Sequence, residues 1–327
     1  MKLLKPMTRR LAPMVGAVTA LLACASVSSA DFIWISSFSN DRVYKVDAAT
    51  GATLMTISAS VLDSPSGLAL SPDRSTLYVS ATNSSAADVY MFNTSTGANT
   101  GSLSSSFSSV RGLALEGNGT FLYVSSLDSD RLFVFNTSTG SNNPSVQNLN
   151  NPQGLTLAPD EGSIFIANSG GNNVIQASLP ANAIIRTFTA PAQFYSPSDV
   201  ILSPDGSTLY VSTFGNSTET NNQILRYHVS SGAYLGEWAV PAPAGDMYGM
   251  TLNSDGSTLY VADVFNSRIL RIDTATGVAS AFTTDAVLSN PAFLLYDPVP
   301  EPSAALLALC GVAALALRRN RRMADNA

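Results

Sequence analysis

Cysteine and histidine are almost absent from this 327-residue chain. Both cysteines, Cys24 and Cys310, lie near the ends, so the long segment between them has no thiol for a disulfide or for nucleophilic attack. The one histidine, His228, cannot supply the several imidazoles of a zinc site. A Ser-His-Asp system would have to use it, and the chain has no Gly-x-Ser-x-Gly elbow. These shortages argue against the common hydrolytic centres, and we expect no catalytic residue.

Positive charge and helix-forming runs are also scarce between the two ends. Residues 31–300 carry nine Lys and Arg against twenty-one Asp and Glu, a net charge of −12. An acidic surface disfavours nucleic acid and anionic membranes as partners. Ser, Thr, Asn and Gly are abundant there, which favours short strands joined by tight turns. About 270 residues are enough for a self-sufficient hydrophobic core.

A unit of about 45 residues repeats along this middle segment. A unit has a Gly-Leu-Ala-Leu-like strand, a Ser-Pro-Asp-Gly-like turn and two more strands. Four units end in an Asp/Asn-x-x-Thr-Gly turn, at Asp47–Gly51, Asn93–Gly97, Asn136–Gly140 and Asp273–Gly277. In that last turn the Asp or Asn side chain caps the backbone, and the Gly takes a positive φ. The first strands of the units are Gly67–Leu70, Gly112–Leu115, Gly154–Leu157, Asp199–Leu202, Gly249–Leu252 and Ala292–Leu295. Units of this length with short strands are typical of β-propeller blades, and the glycines indicate crowded backbones near a central axis.

The two ends of the middle segment are complementary fragments of one unit. Phe32–Ile35 and Arg42–Val46 match a second and a third strand, whereas Ala292–Leu295 matches a lone first strand. We therefore predict an all-β, six-bladed β-propeller over residues 31–298, closed by a composite blade that leaves no open sheet edge. Seven blades are the alternative, if Phe214–Trp238 contains additional structure.

Two stretches resemble known propeller repeats. Ser203–Ser212 is similar to a YVTN repeat, and Val261–Ile269 resembles an NHL repeat, as Ile33–Val46 does more loosely. The resemblance covers nearly all of residues 32–296 and implies a propeller, a fold that hosts binding proteins, lyases and lactonases. Tyr78, Tyr123, Tyr210 and Tyr260 recur at one strand position, which indicates packing between blades rather than a sugar-stacking surface.

Candidate ligand-binding residues stand at the starts of the first strands, where a propeller faces its channel. The candidates for binding at the channel mouth are Arg111, Gln153, Asp199, Asp246 and Tyr248. Gluconolactonase-like propellers, which resemble this fold, hold a cation there with Glu, Asn and Asp. Calcium requires six to eight oxygens, so one or two acids facing Arg111 make a poor site. We expect no cofactor, with calcium as the alternative. The other roles open to Asp199 are to accept backbone N–H groups in a blade junction or to pair with Arg111.

The first thirty residues form an export signal. A basic segment, Lys2–Arg10, precedes the apolar run Leu11–Ala25 and the small residues Ser28–Ala30. This pattern predicts a signal peptide cleaved between Ala30 and Asp31. Arg9-Arg10 lacks the aromatic residue usual in twin-arginine signals, so we favour ordinary secretion. Leu21–Cys24 also resembles a lipobox, which would place a lipid on Cys24.

The last residues resemble a second targeting signal. Pro300-Glu301-Pro302 precedes the apolar run Ser303–Leu317 and the basic cluster Arg318–Arg322. As a helix the run would span roughly 22 Å, so the arginines must extend it by snorkelling to cross a hydrocarbon core of about 30 Å. The alternative is a buried C-terminal helix. Residues 299–322 resemble a PEP-CTERM sorting tail, and residues 323–327 would be its cytoplasmic end.

That resemblance implies a route through the cell envelope. It implies an exosortase-type enzyme that cleaves near Pro300-Glu301-Pro302 after transient anchoring in the inner membrane by a transmembrane helix. The product would reach the cell surface or the extracellular space of a biofilm-forming cell. The hypothesis is a non-enzymatic binding or matrix module whose partner is a polysaccharide or an envelope protein. A metal-dependent lactonase-like hydrolase using the mouth around Asp199 is the alternative, and a structural matrix module without a specific ligand is a third.

Overall fold

The computed structural model describes residues 31–82, 87–107, 109–189, 196–214, 223–240, 245–282 and 284–299. The predicted signal peptide with Ala30, and the predicted tail with Pro300, Glu301 and Pro302, lie outside these residues. Asp31–Pro298 forms one compact unit. The helices of the described segments are two 3₁₀ turns, Phe38–Asn40 and Ser169–Gly171, and neither is long or apolar enough to span a membrane.

Within the described segments, twenty-four strands form six four-stranded antiparallel sheets. Blade 1 contains β1 (Phe32–Ser37), β2 (Arg42–Asp47) and β3 (Thr53–Ile57). Blade 2 contains β4 (Pro65–Leu70), β5 (Thr76–Thr82), β6 (Ala87–Asn93) and β7 (Asn99–Phe107). Blade 3 contains β8 (Val110–Leu115), β9 (Phe121–Ser126), β10 (Arg131–Asn136) and β11 (Asn142–Pro144).

The remaining strands follow the same pattern. Blade 4 contains β12 (Pro152–Leu157), β13 (Ser163–Asn168), β14 (Asn173–Ser178) and β15 (Ile184–Phe188). Blade 5 contains β16 (Pro197–Leu202), β17 (Thr208–Thr213), β18 (Gln223–His228) and β19 (Tyr234–Ala239). Blade 6 contains β20 (Met247–Leu252), β21 (Thr258–Asp263), β22 (Arg268–Asp273) and β23 (Ala279–Phe282). The last strand, β24 (Pro291–Asp297), completes blade 1.

The composite blade closes the ring as predicted. Its strand order is β24-β1-β2-β3, so the last strand of the domain pairs with the first. In this pairing Trp34 lies opposite Leu295, and Ile35 lies opposite Leu294. The described part of Phe214–Trp238 contributes only β18 and β19 to blade 5. The prediction of six blades is therefore confirmed, and the seven-bladed alternative is wrong.

The hydrophobic core is divided into six clusters, one at each interface between blades. At the closing interface, Ile33 and Ile35 of blade 1 pack with Tyr260 and Ile269 of blade 6. The recurrent tyrosines lie in these clusters, which confirms their role in packing between blades. A fully buried large apolar side chain contributes about 1.5–3 kcal/mol, so the interfaces hold the ring together without disulfides.

The innermost strands are packed so closely that their glycines are needed. The strands β4, β8, β12, β16, β20 and β24 contact one another in sequence around the ring. A Cβ placed on Gly112 would lie 2.5 Å from the backbone oxygen of Gln153 in the next blade. Such a distance is far below van der Waals contact, so the prediction of crowded backbones near the axis is confirmed at this position.

The Asp/Asn-x-x-Thr-Gly turns also form as the sequence predicts. The Asp47 carboxylate accepts hydrogen bonds from the backbone N–H groups of Ala49 and Thr50, at 3.0 and 2.7 Å. Gly51 closes this turn with a φ of 74°. The side chains of Asn93, Asn136 and Asp273 cap the equivalent turns.

Both ends of the propeller lie on one face. Each innermost strand runs from the face that we call the mouth to the opposite face, and the second strand returns. Phe32, at the start of β1, lies opposite Asp297, at the end of β24. The Tyr296 hydroxyl donates a hydrogen bond to the Asp31 carboxylate beside them. The domain therefore begins and ends at adjacent points on the face opposite the mouth.

Candidate functional site

The second residue of each innermost strand lies at the mouth face, where these strands begin. The pairing with the second strands shows that these positions are equivalent. Leu113, Leu155 and Met250 each stand two residues after a ring position, and they lie opposite equivalent residues of β9, β13 and β21. We call the six positions the mouth ring: Ser66, Arg111, Gln153, Ser198, Tyr248 and Ala292. Asp199 was expected among these residues, but Ser198 occupies this position.

Serines of the second strands fix the backbone of this ring. Ser80 Oγ donates a hydrogen bond of 2.5 Å to the backbone oxygen of Arg111 in the next blade. Ser125 Oγ does the same for Gln153 at 2.5 Å. Ser212 Oγ donates to the backbone oxygen of Tyr248. Arg111, Gln153 and Tyr248 thus stand on backbone that the preceding blade holds in place.

Tyr248 and Gln153 meet across the channel. The Tyr248 hydroxyl of blade 6 donates a hydrogen bond to Gln153 Oε1 of blade 4. Gln153 Nε2 donates to Ser169 Oγ at 3.3 Å, which orients the amide. Burial raises the pKa of the Tyr248 hydroxyl, so it remains a protonated donor at neutral pH. This pair is a fixed polar bridge that can exchange hydrogen bonds with a bound hydroxyl group.

Aromatic rings surround the polar bridge. The Tyr248 ring packs edge-on against Phe214 and Phe293, with ring centroids 6.2 and 5.4 Å apart. Phe38 directly follows β1, as Phe214 follows β17, so the two occupy equivalent positions in blades 1 and 5. Phe38 was not among the residues singled out from the sequence. An aromatic residue directly after a second strand, as at Phe214, was the sequence feature that would have indicated it.

Arg111 is the cation of the mouth ring. Its Nε and Nη1 atoms are buried and have no hydrogen-bond partner among the described residues. The guanidinium carbon lies 5.5 Å from the centroid of the Phe38 ring, within the range of a cation–π contact. A guanidinium cannot lose its charge at physiological pH. The ring therefore presents a permanent, partly buried positive charge with unused donors.

Asp199 lies in a blade junction instead of pointing along the channel. It occupies the position that is glycine in the blades of Gly67, Gly112 and Gly154. Its carboxyl group accepts a hydrogen bond of 2.7 Å from the backbone N–H of Met250 in blade 6. Asp199 as a whole is only 4 % exposed. Burial raises the pKa of Asp199 to about 8. This is the junction role that the sequence analysis gave as its alternative.

Asp246 directly precedes β20 and is buried. Its backbone oxygen accepts a hydrogen bond of 3.1 Å from the N–H of Val264, which ties the entry of blade 6 to the loop after β21. Of the five predicted binding residues, the structure thus brings Arg111, Gln153 and Tyr248 together in the ring. Asp199 and Asp246 lie beside it, in contacts with blade backbone.

The mouth ring does not fit a calcium ion. Across the described segments, no group of three or more His, Cys, Asp and Glu side chains is placed to hold a metal. Calcium needs several carboxylate or carbonyl oxygens, whereas the ring offers a cation, an amide, a phenol and hydroxyls. The predicted acid Asp199 accepts a hydrogen bond from Met250, and burial raises its pKa.

His228 has a structural place in a turn. It is the last residue of β18 and stands where other blades have the capping Asp or Asn. Its Nδ1 atom accepts a hydrogen bond from the backbone N–H of Ser231 at 3.4 Å. The exposed imidazole therefore caps this turn, as the Asp or Asn side chain does in the Asp/Asn-x-x-Thr-Gly turns.

A separate depression of about 720 Å³ lies on blade 3, between residues 128–133 and 147–149. Its two carboxylates already make contacts within the fold. Asp128 accepts a hydrogen bond of 2.7 Å from Ser109 Oγ, and Asp130 accepts one of 2.9 Å from the backbone N–H of Asn151. These contacts join blade 3 to the segments that enter blades 3 and 4, and we assign them a structural role.

Comparison with known proteins supports the fold and does not identify a function. No family model matches the chain, and no curated protein matches it. Many solved structures share the architecture. A structure of a nidogen/laminin complex matches with a TM-score of 0.67 and 13% identity, covering 82% of this chain and 98% of that one.

Two other matches are named after different enzymes. A Bacteroides fragilis protein assigned as a 6-phosphogluconolactonase matches with a TM-score of 0.60 and 16% identity, over 84% of this chain and 99% of that chain. Hydrazine synthase from Kuenenia stuttgartiensis matches with a TM-score of 0.52 and 19% identity, over 64% of this chain and 76% of that one. Such low identities show a shared propeller fold and leave the function open.

Proposed function

We propose that this protein is an exported, non-enzymatic binding module that holds its ligand at the mouth ring. The observation that carries the proposal is the convergence of Arg111, Gln153 and Tyr248 from three different blades. Their backbones are fixed by serines, and aromatic rings flank them. A site with few, pre-positioned polar groups beside apolar surface is suited to binding a small group with a defined orientation.

The chemistry of the ring favours binding over turnover. A hydrolase needs a nucleophile or an activated water and a base within hydrogen-bond reach. In the ring, the Tyr248 hydroxyl donates to an amide oxygen, which cannot act as a base. His228 caps a turn formed by the third and fourth strands of blade 5, whereas the ring belongs to the innermost strands.

The place of action follows from the two ends of the sequence. The resemblance of residues 299–322 to a PEP-CTERM tail, together with the signal-like residues 1–30, supports export and exosortase processing. We propose that the released propeller acts at the cell surface or in the extracellular polysaccharide. Polysaccharide or an envelope protein is the partner that this location supplies.

A lactonase-like hydrolase is the second candidate. Its support is the structural similarity to proteins assigned as 6-phosphogluconolactonases, at 16% identity. The direct test is incubation of the purified chain with sugar lactones, with calcium and with a chelator. Calcium-dependent turnover well above the spontaneous rate, abolished by Asp199→Asn, would replace the binding proposal by the enzymatic one.

The binding proposal is tested with an array of bacterial polysaccharides and the purified full-length chain in mild detergent. We expect retention on at least one polymer, reduced at least tenfold by Arg111→Ala, Gln153→Ala or Tyr248→Phe. His228→Ala is the matched control and should bind like the parent protein. A selective loss in His228→Ala, with the three ring variants unaffected, would overturn this assignment.

A further inference from the structure

We propose that the ligand of the mouth ring is a saccharide that carries a carboxylate, of the uronic acid class, and that Arg111 binds the carboxylate. The inference rests on the proposed function and names the chemical class of its ligand. It starts from the guanidinium, whose Nε and Nη1 atoms are buried without a partner among the described residues.

An unpaired buried guanidinium is unusual in a folded protein. Buried polar atoms nearly always have a hydrogen-bond partner, because leaving a donor unpaired costs free energy. Arg74 pairs with Asp297 and Arg268 pairs with Asp263. Arg226 also has a buried Nε without a partner, but its Nη2 donates a hydrogen bond of 3.3 Å to the backbone oxygen of Leu235. No carboxylate of the described segments lies within ion-pair distance of Arg111. The unused donors at the mouth are therefore available to an anion supplied by a ligand.

A second unpaired group lies on the neighbouring blade. Ser66 holds the equivalent ring position in blade 2, is 1 % exposed, and its Oγ also has no hydrogen-bond partner among the described residues. By contrast Ser198, in the same position of blade 5, donates a hydrogen bond of 2.7 Å to the backbone oxygen of Met247. The unsatisfied polar atoms of the ring are thus concentrated on the adjacent blades 2 and 3.

The shape of the donors favours a carboxylate. The N–H groups of a guanidinium lie in one plane and match the two oxygens of a carboxylate in a bidentate pair. Phe38 lies against Arg111 and leaves the positive charge poorly hydrated, which strengthens such a pair. Charge-assisted hydrogen bonds of this kind are about twice as strong as neutral ones.

The rest of the ring suits a sugar body. The Tyr248–Gln153 bridge offers a hydroxyl and an amide, which can exchange hydrogen bonds with sugar hydroxyl groups. The rings of Phe38 and Phe214 provide apolar surface for the C–H face of a pyranose. A cation beside Phe38 and a polar bridge beside Phe214 correspond to the carboxylate and the hydroxyl groups of a uronic acid.

The test compares D-glucuronate with D-glucose, which differ at one carbon. Saturation-transfer NMR on the full-length chain in mild detergent measures both affinities. We expect glucuronate to bind at least tenfold more tightly than glucose. Arg111→Met should remove this preference, whereas Arg111→Lys, which keeps the charge without the planar donors, should retain only part of it. Inorganic phosphate at equal concentration should displace glucuronate poorly.

Arg226→Met is the matched control, because Arg226 stacks on Trp238 at 4.6 Å in the outer strands of blade 5 and should not affect either sugar. Thermal melting confirms that each variant is folded. Equal affinities for glucose and glucuronate, or no binding of glucuronate, overturn the inference. Displacement by phosphate at equal strength also overturns it, in favour of a general oxyanion site. The polymer array with Gln153→Ala and Tyr248→Phe judges the proposed function separately, since neither variant removes the cation.

Discussion

The indole N–H of Trp34 donates a hydrogen bond of 3.2 Å to the carboxylate of Asp297, a residue 263 positions further along the chain. The same carboxylate forms an ion pair with Arg74 of blade 2. One side chain at the end of the last strand thus contacts the first strand of the domain and the neighbouring blade. The closure of the ring depends on a few residues at the very end of the propeller.

Deleting Pro291–Asp297 should unfold the domain as a whole. The deletion removes the strand that pairs with β1 and the buried side chains of Phe293 and Leu294. Losing the burial of these two side chains alone costs about 1.5–3 kcal/mol each. Urea denaturation followed by tryptophan fluorescence measures the effect.

A chain that ends after Pro298 is the control for this deletion, because it keeps all of β24 and should melt like the full propeller. Asp297→Ala should have an intermediate effect, since it removes the partner of Trp34 and Arg74 but keeps the strand. If the deleted chain denatured at the same urea concentration as the control, the closing role of β24 would be refuted.

Asp199 should make the propeller less stable as the pH rises from about 4 to about 8. Burial raises the pKa of Asp199 from 3.8 to about 8, so in this window the folded state holds a proton that the unfolded state has lost. Stability then falls by up to about 1.4 kcal/mol per pH unit. Asp199→Asn keeps an acceptor for the Met250 N–H and cannot ionise. The stability difference between Asp199→Asn and the parent should therefore grow from pH 5 to pH 8.

Asp205→Asn is the matched control for this titration. Asp205 is exposed, and the hydrogen bond from Ser203 lowers its pKa to about 2, so its contribution is lost only on acidification below about pH 4. Denaturation curves of Asp205→Asn and the parent should therefore keep a constant separation from pH 5 to pH 8. A constant separation for Asp199→Asn as well would contradict a buried, protonated carboxyl group at the blade junction.

Replacing His228 by Asn should preserve or increase stability. Asn is the residue that caps the equivalent turns at Asn93 and Asn136, where its side-chain oxygen accepts backbone N–H groups. His228→Ala removes the acceptor for Ser231 and should cost about 0.5–1.5 kcal/mol, the usual net value of a hydrogen bond. Thermal denaturation ranks the three proteins. A clear loss of stability in His228→Asn would show that the imidazole has a role other than capping.

The exported protein should begin at Asp31 and lack everything after the Pro300–Pro302 region. The reasons are the small residues at Ser28–Ala30 and the order of motifs in the tail. Intact-mass measurement on protein recovered outside the producing cell checks both ends. A mass that retains Leu306–Arg322 would contradict exosortase processing. A lipid adduct on Cys24 would instead indicate the lipoprotein route.

The fold was predictable because its determinants are local and repeated. Strand patterns recur from unit to unit, the Asp/Asn-x-x-Thr-Gly turn recurs in four units, and the fragments Phe32–Ile35 and Ala292–Leu295 complete each other. The mouth ring was harder, because successive side chains of a strand point to opposite sides and an offset of one residue exchanges them. Asp199 was placed in the ring, although Ser198 holds that position. Phe38 was missed because its approach to Arg111 depends on the arrangement of blades 1 and 3.

The two ends of the propeller domain lie on one face, which makes its two faces unequal. Phe32 and Asp297 lie together on the face opposite the mouth ring. A tether attached to either end would pull on that face alone and leave Arg111, Gln153 and Tyr248 turned toward the surroundings. The order of the strands would thus keep the binding face accessible while the protein is still held at one end, so capture of a ligand would not have to wait for release.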